Sequence, residues 1–492
     1  MASPGGAGRR RTGWVQTPVT GASGLATLFA VTLAAVLVGL ASAILSLWAV
    51  RRRLLDRTVD GAVRRLLSDP YPENLWDLAV GMQRVPPTVL LELELRAHKG
   101  ALLERPLGSV TRRSQWEDIA FNPAQLVRPP LPPDAPVDTS VVLGPEAGRP
   151  LRLETPLLVG AMGYGVGVSR AVALALARGA HQVGTAYNAG SGPILPELLD
   201  GRGPLILQFA GGAWTRDPAV LARADMVEIR LGHGARGALG RRFDATRLPP
   251  EVRRLLGGGA DAPPVLEAPL PESLDPQAFR QLVDRLRRWT DGAPVAVKLA
   301  ATHDLERELL AVVDAGVDVV VLDGSEGGTH GTPPVLADDF GIPTLHALVR
   351  AAALLEATGL RPWLSLVIGG GLRTPGEALK ALALGADAVY LGTAVLMAAT
   401  HGQLSKAIPF EPITQLVWAT GRRARRFDPE RGARTVANFL QACTLEMAEA
   451  ARALGKDSLR AVDRSDLVAR TPEAARMLGL PPSWRPPGSG TP

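Results

Sequence analysis

Residues 365–396 read SLVIGGGLRTPGEALKALALGADAVYLGTAVL. An unbroken apolar run ends in three glycines, a helical segment TPGEALKALALGA follows, and a second apolar run, AVYL, ends again in glycine. Reading outward, the same unit recurs. The apolar runs PLLVGAM (156–162), PLILQFA (204–210), DMVEIRL (225–231), PVAVKLA (294–300) and DVVVLDG (318–324) alternate with helical segments such as SRAVALALARGAHQ, DPQAFRQLVDRLRRW and DLERELLAVVDAG. Strands without polar alternation, each followed by a helix, are buried on both faces and run parallel. Repeated over this length, the pattern predicts an α/β chain with a (β/α)8 barrel; a doubly wound sheet is the alternative.

In a barrel the chemistry gathers at the C-terminal ends of the strands. Here LDGSEGGT, VIGGGLRT and YLGT each put glycine where the backbone comes close to something. Two consecutive late loops of this kind, with outward N–H groups and a short helix behind them, make an anion cradle suited to a phosphate, although any single one of them reads equally as a tight turn. Lys298 lies mid-strand in PVAVKLA, where an ammonium is costly unless it finds an anion. A flavin supplies one, because its N1 and O2 edge gains negative charge on reduction. A structural pairing with Glu228 or Asp323 is the plainer alternative.

Composition bounds what else the chain does. With 492 residues, 46% of them hydrophobic, it buries at least one large core. The net charge of +6 comes from 54 basic against 48 acidic residues spread along the chain, and only 4% of residues are aromatic. This reads as a solvated surface or one facing anionic lipid, and nucleic acid is not an expected partner. A single cysteine, Cys443, excludes an intrachain disulfide, a four-cysteine zinc site and an iron–sulfur cluster held by this chain's thiolates. The seven histidines are scattered, so no metal site is expected.

No charged residue occurs from Thr12 to Val50, and LATLFAVTLAAVLVGLASAILSLWAV (25–50) exceeds the roughly 20 apolar residues a bilayer requires. It reads as one transmembrane helix, with a cleaved signal ending at ASA (41–43) as the competing reading. The arginines at 51–53, 57, 64 and 65 place the large C-terminal part in the cytoplasm by the positive-inside rule. The expected organisation is a polar and basic segment (1–24), a transmembrane helix (25–50), a helical juxtamembrane region (51–115, including NLWDLAVGMQRV and PTVLLELELRAHKGALLE), the barrel (116–445), and a C-terminal helical extension with a disordered Pro-rich tail (446–492). The Pro-rich stretch NPAQLVRPPLPPDAPVDTS marks the boundary before the barrel. Cys443, in a stretch of helical spacing, is expected to be a core residue.

The stretches VDTSVVLGPEAGRPLRLETPLLVGAMGYG, GTAYNAGSGPILPE, VEIRLGHGARG, VAVKLA, LDGSEGGTHGTPP, IPTLHALVRA and IGGGLRTPGEALKALALGADAVYLGTAVL, in this order, resemble the FMN-binding domain of glutamate synthase, above all its short single-domain forms. The resemblance covers roughly residues 110 to 445. It implies a TIM barrel with FMN at its mouth and reduction of 2-iminoglutarate to glutamate. Carried over by position, it assigns Lys298 to the flavin. It assigns Gly369, Gly370 and Gly371 to one phosphate loop, and Gly392 and Thr393 to the next. Asp323, Glu326, Gly327, Gly328 and Thr329 become the loop over the flavin, and Ala161 and Met162, between Gly160 and Tyr164, the end of the first strand.

This chain departs from the family on the substrate side. Gly190, Ser191, Gly192 and Pro193 stand where the family has Gly-Glu-Gly-Gly, removing a carboxylate, and Arg230, His233 and Arg236 stand for its lysine, glutamine and lysine. Arginine keeps the charge and grips a dicarboxylate bidentately but never deprotonates. Lys298, Arg230, His233 and Arg236 are therefore the candidate catalytic set. His330, in place of a small residue, is either a general acid or an exposed loop side chain. With no N-terminal cysteine and too few thiols for a cluster, ammonia and electrons are expected from elsewhere: a separate glutaminase, and a quinone, membrane dehydrogenase or partner subunit as donor. Two alternatives stay open. One is a catalytically divergent FMN barrel serving as a scaffold or sensor at the membrane. The other is a flavin-free barrel binding a phosphorylated metabolite.

Overall fold

The computed structural model describes residues 21–70, 85–109, 111, 113–200, 203–244, 246, 248–257, 264–266, 270–328 and 330–486. Most of NLWDLAVGMQRV, the candidate Thr329 and the end of the tail lie outside the described residues. The chain forms two compact units, Met1–Ala101 and Leu102–Pro492. The first contains the helix Gly21–Ser68 and the helix Pro87–Lys99, the latter stopped by left-handed Gly100 (φ 56°), whose N–H returns to the Arg96 carbonyl. By length and composition the stretch Thr27–Ser68 is sufficient to cross a membrane, and protein buries none of its apolar window. The helix does not break at Val50 but continues through the arginines.

The second unit is built on a closed barrel of eight parallel strands, numbered here β1 (Leu157–Val159), β2 (Tyr187–Asn188), β3 (Leu205–Phe209), β4 (Met226–Arg230), β5 (Val295–Ala300), β6 (Val319–Asp323), β7 (Ser365–Gly369) and β8 (Ala388–Leu391). They pair in sequence order and β8 closes on β1 through Val389↔Leu157, Tyr390↔Leu158 and Leu391↔Val159. The barrel is thus observed and the doubly wound alternative is not.

Successive side chains of a strand alternate between helices outside and lumen inside. Leu205, Leu207, Val227, Ile229, Val295, Val297, Val320 and Leu322 face the helical layer. Leu158, Ile206, Met226, Ala296, Val319, Val367 and Ala388 form the inner cluster, which a short antiparallel hairpin, Val141–Leu143 with Leu151–Leu153, closes from the N-terminal side. One step further along the same inward rows stand Asn188, Gln208, Glu228 and Lys298, all buried. The lumen is therefore apolar at the base and polar near the mouth.

The helices after β2 and β3 are single turns, Pro196–Leu199 and Pro218–Leu221; the others are Arg170–Gln182, Pro276–Trp289, Leu305–Asp314, Thr344–Ala357, Pro375–Ala383 and Thr393–Thr400. Thr374 and Glu377 form a reciprocal capping box that starts Pro375–Ala383 immediately behind the triple-glycine turn. The long helix Pro429–Ala453 crosses the expected boundary at 445 and lies against Arg170–Gln182; the two approach so closely that a Cβ at Gly179 would sit 2.7 Å from Val436. Cys443 is buried there, and burial pushes its thiol up to about 11.

Three boundary expectations are revised. The compact unit starts at Leu102 rather than 116. The Pro-rich stretch is not a linker: Asn122, Ala124, Leu131 and Asp138 donate backbone hydrogen bonds to the carbonyls of Asp466, Ala453, Arg452 and Asp457. Beyond the long helix, strand Leu467–Ala469 pairs antiparallel with Ile119–Phe121, and Ala469 donates its N–H to the Pro481 carbonyl while its own carbonyl accepts from the Ser483 N–H, so the start of the tail is ordered.

Candidate active site

A cavity of about 1030 Å³ opens at the C-terminal ends of the strands. Its lining includes Ala161, Met162, Arg230, His233, Arg236, Lys298, Asp323, Glu326, Gly327, Gly328, Gly370, Gly371, Gly392 and Thr393. The candidates from distant parts of the sequence are thus brought together; Gly369, which ends β7 below, does not line the cavity. A Cβ at Gly369 would lie 2.5 Å from Asp323 Oδ1, so its absence leaves room for that carboxylate.

The floor is a connected polar layer. Lys298 Nζ pairs with Asp323 Oδ2 at 3.0 Å, both 5% exposed, and lies 5.2 Å from the Tyr390 ring centroid. Burial works against the ammonium, but Asp323 and Glu228 outweigh it and raise the Lys298 pKa. Of the two structural partners open at the level of sequence, Asp323 is the one engaged. Glu228, fully buried, accepts from Gln208 Nε2 at 2.6 Å and from Tyr390 Oη at 2.9 Å, and Tyr390 Oη in turn accepts from Asn188 Nδ2 at 2.9 Å. Ser191 donates to Gln208 and accepts from Arg230 Nη1 at 3.2 Å. The position that lacks the family's carboxylate is therefore tied into the layer through a hydroxyl.

The loop after β6 forms one wall. Gly328 is left-handed (φ 61°) and a Cβ on it would strike His233 Nδ1; at Gly234 a Cβ would strike the Gly327 carbonyl, which accepts from the Ala235 N–H at 3.2 Å. Only glycine lets the β4 and β6 loops meet this closely. Glu326 does not present its carboxylate to the cavity. Oε1 accepts from Ser114 N (2.8 Å) and Oγ (2.6 Å), and Oε2 from Thr344 N (2.9 Å) and Oγ1 (2.8 Å). Burial raises its pKa, but these hydrogen bonds outweigh burial and hold it below the ordinary value. Its carboxylate staples the segment around Ser114 to the start of Thr344–Ala357.

His330 is not an exposed loop side chain. It stacks on Trp418 with centroids 3.7 Å apart, and its Nδ1 lies 2.8 Å from the Pro106 carbonyl. Burial, despite that carbonyl and with help from Arg241 and Arg236, lowers it to about 4. Burial, then Arg230, Lys298 and Arg236, lower His233 well below its usual range. Both rings are neutral at pH 7, so neither is poised as a general acid. Arg230, lowered to about 10 by burial and by Arg236, remains a cation.

The loops after β7 and β8 face the same cavity. Gly370 (φ 119°) and Gly371 (φ 72°) are left-handed, and the N–H groups of Gly371, Leu372, Gly392 and Thr393 donate to no protein acceptor among the described residues. Helix Thr393–Thr400 has no side-chain cap, and a Cβ at Gly392 would meet nothing within 4 Å. Free donors at a helix N-terminus beside an open, glycine-walled space fit a phosphate, and Lys298 lines the same cavity as a cation. The residues present thus fit FMN.

The family model described as the conserved region in glutamate synthase matches residues 126–457. The chain belongs to the glutamate synthase family. It is accordingly an FMN-barrel oxidoreductase. It is 32% identical over 426 residues to a glutamate synthase large subunit-like protein of Rhizobium meliloti (strain 1021), covering 82% of this chain and 95% of that one. It is 30% identical over 398 residues to the archaeal glutamate synthase [NADPH] of Archaeoglobus fulgidus, covering 76% and 77%. Among solved structures, a mandelate oxidase variant with (S)-mandelic acid shares 20% identity at a TM-score of 0.49, covering 75% of this chain and 92% of that one.

Several residues of the site were not anticipated. Gln208 and Asn188 carry the signal that marks Lys298, a polar side chain in an apolar run. The segment 105–111, which contributes Pro106, Leu107, Ser109 and Thr111 to the lining, and Arg241 carry no such signal.

Proposed function

We propose that this family member is tethered to a membrane by the helix Gly21–Ser68, its second unit on the cytoplasmic side, and reduces a 2-imino or 2-oxo dicarboxylate to the amino acid, with ammonia and electrons supplied by separate proteins. The observation that carries the reading is the charge pattern: Lys298, Arg230, Arg236 and Arg241 line one cavity, and among the described residues only Lys298 of the four has a carboxylate within ion-pair distance. Such a site attracts an anion with more than one negative group.

FMN, when bound, supplies hydride to an electron-poor carbon. The chain's own residues do the rest. Gly371, Leu372, Gly392 and Thr393 offer their N–H groups to the phosphate. Lys298, kept protonated by Asp323 and Glu228, holds positive charge at the floor. Arg230, oriented by Ser191, orients a substrate carboxylate. His233 acts by packing, since its neutral ring fills the space Gly328 leaves.

The test is the absorption spectrum of the full chain purified in detergent without added flavin, followed by identification of the released chromophore. Stoichiometric FMN is expected, and after photoreduction, 2-oxoglutarate with ammonium is expected to reoxidise it anaerobically. A colourless protein that takes up no added FMN refutes the reading.

A further inference from the structure

The three arginines of the cavity are not equally employed. Arg230 Nη1 donates to the Ser191 hydroxyl oxygen, and Arg236 Nη1 donates to the Gly331 carbonyl at 3.0 Å, tying the β4 loop to the β6 loop. Arg241 makes no hydrogen bond or ion pair among the described residues. It is carried by a small hairpin, Arg241–Arg242 paired with Val265–Leu266, inserted between β4 and helix Pro276–Trp289. Its guanidinium lies 5.1 Å from the Phe243 ring centroid, and the missing side chain of Gly331 makes its room, since a Cβ there would sit 2.8 Å from Nη2. Among the described residues no carboxylate forms an ion pair with it; Glu104 attracts it only at longer range, and Arg236 is the cation beside it. Arg241, Phe243 and Leu266 all line the cavity. A partly buried guanidinium resting over an aromatic ring, with no carboxylate paired to it among the described residues, is preorganised for a carboxylate.

Position separates its role from that of Arg230. Arg230 ends β4, in register with Lys298, and is tied to the floor through Ser191. Arg241 stands off the barrel on the hairpin. We propose that Arg241 is a specificity-determining residue that grips the substrate carboxylate remote from the reacting carbon, while Arg230 takes the one beside that carbon, so that the site selects a dianion over a monoanion of equal length. This rests on the oxidoreductase reading above.

The test uses the full chain in detergent, loaded with FMN. The flavin absorbance is titrated with 2-oxoglutarate and with 2-oxopentanoate, which has the same number of carbons and one carboxylate fewer. Loss of one charge-assisted, bidentate contact in R241Q is expected to weaken 2-oxoglutarate about 10- to 100-fold. Affinity for 2-oxopentanoate and FMN content are expected to stay within about twofold. R241M, which keeps an apolar stem over Phe243, is the second variant, and either one that melts like the wild type decides the matter. An unchanged ratio of the two affinities overturns the inference while leaving the oxidoreductase reading intact. A wild-type flavin that responds to neither acid overturns both.

Discussion

The Lys298–Asp323 pair gives the sharpest test of the site's physical logic. Both side chains are 5% exposed and 3.0 Å apart on adjacent strands, β5 and β6. Removing one partner of such a pair strands the other and costs about 3–5 kcal/mol, whereas replacing both by apolar groups is nearly neutral. With an unfolding entropy of about 2.1 cal/mol/K per residue, a unit of this size loses about 4–6 °C in Tm for each single substitution. The expectation for K298M and D323L is therefore a fall of that order for each, and for the double variant a fall much smaller than the sum, giving a coupling of about 3 kcal/mol or more by thermal and denaturant unfolding. pH adds an independent check. The folded Lys298 pKa is raised, so its contribution is fully present below the ordinary lysine value and is lost only as pH rises through the higher folded value. Wild-type stability should thus hold to more alkaline pH than that of D323L, whose lysine loses its largest support. Single effects that add within about 0.5 kcal/mol would show that the two groups do not act as a pair and would remove the argument that Asp323 keeps Lys298 charged.

Three further outcomes follow from the same structure. At Gly392 φ is negative (−107°) and a new methyl meets nothing within 4 Å, so G392A should remain folded while FMN affinity, by isothermal titration, falls about 10-fold or more as the phosphate space narrows; unchanged affinity would move the phosphate elsewhere. His330, with its folded pKa lowered to about 4, favours the folded state above the unfolded value of 6.5, and that contribution is lost as pH falls from 6.5 towards 4; Tm measured against pH should flatten over that window in H330Q. E326A leaves the donors of Ser114 and Thr344 unmatched and should cost about 3 kcal/mol in denaturant unfolding, against about 1 kcal/mol for S114A, with faster proteolysis near residue 114 in both.

The sequence made the late half of the barrel legible because each strand there is long and each turn is marked by glycine, as in SLVIGGG and AVYLG. It hid β2, since Tyr187–Asn188 is two residues long and shows no periodicity. The boundaries failed for a related reason. Proline density in 122–140 signals a chain that cannot pair as a strand, and that is equally true of a linker and of a strap held by single backbone hydrogen bonds to a helix end. Within the site, Lys298 stood out as a charge in an apolar run and Glu228 was named as a possible partner for it, yet the same rule applied to LILQF would have found Gln208 as well, because all three lie on inward rows of the lumen. Glu326 shows the opposite limit: a carboxylate beside glycines in a mouth loop looks like a ligand group, and only its hydrogen bonds, four of them from Ser114 and Thr344, reveal that it holds the wall together. Arg241 lay beyond reach altogether, because its significance depends on Gly331 from another loop leaving it space and on no carboxylate being placed beside it. A missing counter-ion is a property of three-dimensional neighbourhood, and for that reason the residue on which the proposed carboxylate contact rests is the one the sequence could not single out.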